Sequence, residues 1–144
     1  MTSSIVAARV ALSMIVAALY VTACILPAVD NPPPTNRDFG DITPYGQTPG
    51  IVALLFGALP ETFVAWSANP LLLTGWILFL FKKNTIAVWF GAGAVLAAIS
   101  THLFLPKSMS LLIGYYFWLG SLIAFTFGTL AVRTIERSRA SKPH

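Results

Sequence analysis

The chain has 144 residues, 56% of them hydrophobic and only 10% charged, with a net charge of +4, where an ordinary globular domain carries about 25% charged residues. This balance points to an integral membrane protein, and a bundle of spans at roughly 20 residues each leaves no room for a separate soluble catalytic domain. The nine Lys and Arg residues gather at the ends of apolar segments rather than on a nucleic-acid-binding surface, and a single cysteine excludes an internal disulfide and any Cys-rich metal site.

In chain order, the first apolar segment covers about 5–28. Arg9 sits about one turn inside it, where its long stem can reach back to the membrane interface. Near the far end, Val21, Thr22, Ala23 and Cys24 have the order of a box preceding a lipid-modified cysteine. The apolar run nevertheless continues through Ile25 and Leu26, and the later spans would anchor the chain without a lipid, so Cys24 is expected to be a small apolar residue of an intact helix. Residues 30–50 follow, with five prolines and three aspartates, and read as an extended loop outside the bilayer.

The next apolar stretch, 51–81, would measure roughly 46 Å as one straight helix, too long for a single upright span. Pro60 suits the first turn of a new helix and Glu61 favours its positive end, so the span is expected over 62–81, with a short interfacial helix before Pro60. A third span is expected over 85–105, a fourth over 109–132 and a cytoplasmic tail over 133–144. The expected fold is therefore all-α, a single domain of four transmembrane helices. With both termini in the cytoplasm, seven cations lie inside (Arg9, Lys82, Lys83, Arg133, Arg137, Arg139 and Lys142) against Arg37 and Lys107 outside, which makes the loop periplasmic.

Ionisable groups inside a bilayer are the default places to look for function. Glu61 and His102 fall near the outer boundary, where with Asp30, Asp38 and Asp41 they could hold a divalent cation or relay a proton, although a helix-start glutamate and an interfacial histidine need no function. Asn69 beside Pro70 is the most notable buried pair. It can line a pocket or pore, but more often such a pair fixes a helix crossing through an interhelical hydrogen bond. Small residues supply packing strips: Gly120, Ala124 and Gly128 on the last span, and Gly93 with Ala97 on the third. The inventory offers no catalytic constellation, cofactor motif or metal site.

The stretches "WSANPLLLTGW" (66–76) and "GYYFWLGS" (114–121) resemble a loose group of small bacterial membrane proteins that share a W-x-A-N-P helix entry, a short basic turn and a G-Y-Y-x-W-L run opening the last helix. That group has no assigned activity, so the resemblance implies bacterial origin and four-span topology and adds no catalytic residue. The expected role is that of a non-catalytic accessory protein of the inner membrane, whose partners are the bilayer and either another membrane protein or a second copy of itself. A small oligomeric transporter or channel, with Asn69, Glu61 and His102 near the path, and an immunity protein using the 30–50 loop are the alternatives.

Overall fold

A computed structural model describes residues 3–31, 46–56, 63–104 and 110–140, of which 84% are helical. Three helical stretches are long and apolar enough to cross a membrane: α1 (Ser3–Ile25), the pair α3 (Phe63–Trp66) and α4 (Ala68–Leu80) taken together, and α7 (Ile113–Ala140). Between them, α5 (Asn84–Ile99) is apolar but has 16 residues, and the single turn α6 (Thr101–Phe104) follows it. The main helix contacts run from α1 to α7, from α7 to α5 and from α5 to α4. Tyr20 of α1 meets Asn69 of α4, whereas Arg9 of α1 meets Phe79 at the far end of α4, so these helices run up and down. Arg139 Nη1 donates to Ser4 Oγ at 3.1 Å, which brings the two chain ends to one end of the bundle.

The expectation of an all-α chain is corrected by a small three-stranded antiparallel sheet at the opposite end. Strand β1 (Pro27–Asn31) lies between β2 (Gly46–Pro49) and β3 (Ser110–Leu111). Val29 pairs with Thr48 on one side and Leu111 on the other. The ring of Pro27 disfavours helix at Leu26, so α1 stops at Ile25 rather than near Ala28, and the chain leaves it already extended. Both ends of the 30–50 segment are thus paired strands instead of loop. Pairing with β1 likewise delays the last helix, which starts at Ile113 and not at 109.

The other boundaries shift for local reasons. Gly50–Phe56 forms α2, within the stretch expected as an interfacial helix, while Pro60 and Glu61 lie outside the described residues. Within the second span the turn is at Ser67, ahead of Pro70, whose missing N–H falls in the first turn of α4, where none is needed. The third span pauses at Ser100, whose Oγ donates to Ala97 O. Helix α7 runs on to Ala140, so most of the expected tail is helix.

Helix α4 ends in the two-bond Schellman turn usually made by glycine: Lys82 N donates to Phe79 O and Lys83 N to Leu78 O. Here the left-handed residue is Lys82, at φ 62°. Because a Cβ in that conformation costs on the order of 1 kcal/mol, Lys82→Gly should raise stability by about that much in thermal unfolding in mild detergent.

The core between the two ends is mostly apolar, with Ser121 and Thr129 of α7 also fully buried in it. Val16, Leu72, Phe79, Leu122 and Phe125 are fully buried or nearly so, and Phe79 meets Phe125 edge to face at 6.1 Å between ring centroids.

Candidate functional site

Beneath the sheet, the ends of α1, α3, α4 and α7 leave a concave, predominantly apolar cavity of about 160 Å³. Small side chains make the space: Ala23 and Cys24 from α1, Ala53 from α2 and Ala65 from α3. The roof is fixed by three hydrogen bonds, Gly50 N to Leu26 O at 2.9 Å, Leu112 N to Ala28 O at 2.9 Å and Trp66 Nε1 to Leu54 O at 2.7 Å. These tie β1, α2 and α3 over the helix ends.

Asn69 lines this cavity. Its Oδ1 accepts from Tyr20 OH at 3.0 Å and from Trp118 Nε1 at 2.9 Å, so one side chain joins α1, α4 and α7. The resulting arrangement is both an interhelical clasp and a polar point in an apolar wall. Its amide nitrogen makes no hydrogen bond among the described residues. Asn69→Leu would strand the tyrosine and tryptophan donors. Two interhelical bonds at roughly 0.6 kcal/mol each inside a membrane give an expected loss of about 1 kcal/mol, checked by unfolding in detergent.

A second polar cluster closes the bundle at the end carrying the termini. Arg9 is buried, at 8% exposure: its guanidinium reaches the end of the bundle that carries the termini, but ends among protein acceptors rather than in water. Its Nη1 donates to Phe79 O at 2.5 Å, and its Nη2 to Asn84 Oδ1 and Glu136 Oε1, both at 2.9 Å. The guanidinium carbon also stands 4.7 Å from the centre of the Phe79 ring. Asn84 Nδ2 in turn donates to Glu136 Oε2 at 2.6 Å. The cause is simple: the acceptors that hold Nη1 and Nη2 come from three other helices, and a planar fork that finds them inside need not reach water, while Nε stays without a partner among the described residues.

Neither Glu136 nor Asn84 was expected in a site. A signal for Glu136 does exist, because the buried positions Leu122, Phe125, Thr129 and Val132 advance by alternating steps of three and four, and the next step lands on Glu136. Of the expected polar set, Asn69 takes the place described above. Glu61 and the side chain of His102 lie outside the described residues, as do Asp38 and Asp41. Among the described residues no three His, Cys, Asp or Glu side chains come together.

The packing strips divide. A Cβ on Gly128 would run into the Leu12 side chain, so α1 and α7 approach closely there, while Ala97 is buried. Ala124 is partly buried against the core, and a Cβ on Gly93 would meet only Leu71 Cδ1, at an ordinary contact distance of 3.7 Å. Gly120 faces open space, so the strip does not continue as one interface within the chain. The tightest backbone approaches are elsewhere, at Gly50 and Gly114. No family model matches the chain, and comparisons with curated proteins and with solved structures find no match either.

Proposed function

We propose that this chain is a non-catalytic accessory protein of the bacterial inner membrane, crossing it four times with both termini in the cytoplasm. Its role is to grip an apolar side chain of a partner membrane protein in the cavity beneath the periplasmic sheet. The cavity carries this reading. A helix with its side chains is about 10–12 Å across and cannot enter it, but an engineered cavity of roughly 150 Å³ takes a benzene ring, so one aromatic anchor suits about 160 Å³. Interfaces concentrate their binding energy in such anchors, seated in desolvated pockets.

Four crossings are supported by the shared location of the two chain ends. Helix α5 spans about 24 Å and α6 adds roughly 6 Å, which together approach the ~30 Å hydrocarbon thickness. Transport through a single chain is disfavoured by the closely packed layer of Val16, Leu72, Leu122 and Phe125, fully buried or nearly so, between the two polar clusters.

In cells, a photo-crosslinking amino acid at Leu54, on the cavity wall, should give one adduct with a second membrane protein. Ala53→Phe, which fills the cavity, should abolish the adduct, and the same probe at exposed Leu103 should not form it. An adduct that survives filling, or forms equally from Leu103, would refute the pocket as the contact. For topology, Gln47→Cys and Ser138→Cys in a Cys24→Ser background should label from opposite sides of the membrane.

A further inference from the structure

The turn between α4 and α5 and the last turns of α7 enclose an open groove of about 260 Å³ at the end carrying the termini. Its walls carry three cations, Lys82, Arg133 and Arg137, together with Asn84, Thr85 and Glu136. The one carboxylate does not neutralise them, because the charge of Glu136 is already matched by the Arg9 cation inside the bundle. Arg133 Nε is buried and has no hydrogen-bond partner among the described residues. That nitrogen is sealed from solvent, so what the groove offers is the exposed Lys82 and Arg137 and the half-buried Arg133, and three cations converging on one groove suit an anion with several acceptor oxygens. The start of α5 adds to this, since Lys83 at its N-cap makes no side-chain cap and leaves the first backbone N–H groups of the helix without one.

The surroundings say which anion. Leu80 and Phe81 are exposed beside Lys82, as are Leu130 and Ile135 beside Arg133 and Arg137, so lipid-facing apolar side chains flank the cations. The occupant that fits has a charged head and apolar chains. We propose that this groove binds the phosphate group of an anionic membrane phospholipid, with Arg133, Arg137 and Lys82 as its ligands. Lys82 then has a reason to occupy a left-handed position that glycine would fill at lower cost. The proposal rests on the membrane placement given above but not on what fills the cavity at the other end, and the topology labels test that placement separately.

The test is native mass spectrometry of the full chain from mild detergent supplemented with equal amounts of phosphatidylglycerol and phosphatidylcholine of matched acyl chains. The wild type should retain phosphatidylglycerol in preference. Arg133→Gln and Arg137→Gln should each lower that preference about fivefold, the weight of one basic residue near an anionic surface. Lys82→Gly should lower it similarly while raising thermal stability, so its loss of lipid is not a loss of fold. Lys83→Gln, which removes a neighbouring charge that does not line the groove, should change it less than about twofold. Absence of any preference, or an equal effect of Lys83→Gln, would overturn the site in favour of diffuse charge. Displacement of the lipid by millimolar inorganic phosphate would overturn the lipid assignment and make free phosphate the ligand.

Discussion

Glu136→Leu is expected to destabilise the bundle by about 3 kcal/mol, more than Arg9→Met, although the two residues form one ion pair. The asymmetry follows from burial and acid–base chemistry. The Arg9 side chain is 10% exposed against 31% for Glu136, and a guanidinium cannot shed its charge. Without Glu136, Arg9 keeps its cation in the core with only neutral acceptors, Phe79 O and Asn84 Oδ1, and the Phe79 ring. Without Arg9, the carboxylate still holds Asn84 Nδ2 and has partial access to water, so the expected loss is about 2 kcal/mol, the scale of lost charged hydrogen bonds. The double variant Arg9→Met/Glu136→Leu should lose about 2 kcal/mol, well under the sum of the two single losses, because apolar residues of similar volume remove both charge-desolvation costs and leave only the buried Asn84 amide without its two partners. Equilibrium unfolding in detergent of the four proteins closes the cycle, and simple additivity of the two single losses would show that the pair is not coupled. Arg9→Lys should fall between, since a point charge cannot reproduce the two-nitrogen fork.

Much of the helical framework is legible in the residues themselves. Long apolar runs mark where α1, α4, α5 and α7 lie, because such a run satisfies its own backbone hydrogen bonds as helix, but not all of their ends: α5 stops at Ile99 and α7 runs on to Ala140, past the expected 132. The sheet is less legible. Strands of five, four and two residues carry too few positions for alternation to stand out, and β1 is recognised only through partners distant in sequence, such as Thr48 and Leu111 for Val29. The polar ends of the bundle show the same division. Asn69 announces itself as an amide within an apolar run, but that it joins Tyr20 and Trp118 depends on tertiary packing. Arg9 announces a cost without naming the residues that offset it, since Asn84 and Glu136 lie 75 and 127 positions away.

Glycine makes the sharpest contrast between pattern and contact. The regular spacing of Gly120, Ala124 and Gly128 draws the eye, yet a side chain on Gly120 would meet nothing, so Gly120→Ile should change stability by less than about 0.5 kcal/mol. At Gly128 the obstacle is the end of the Leu12 side chain, which can turn aside, and Gly128→Ala should cost about 1 kcal/mol. Gly50 and Gly114 stand in no strip, but the atoms in their way are backbone: the carbonyl of Ala23 for Gly50, and the carbonyl oxygens of Leu26 and Pro27, at 2.8 and 2.7 Å, for Gly114. Those carbonyls belong to the end of α1 and the start of β1, and cannot move without breaking Gly50 N to Leu26 O or the strand pairing that roofs the cavity. Gly50→Ala and Gly114→Ala are therefore expected at the upper end of overpacking losses, about 3 kcal/mol each. A thermal unfolding series in detergent ranks the four positions. If Gly120→Ile proved as damaging as Gly50→Ala, the close approach of α1, α2 and α7 beneath the sheet would not be what holds this end of the bundle together, and the strip on α7 would have to face a second chain.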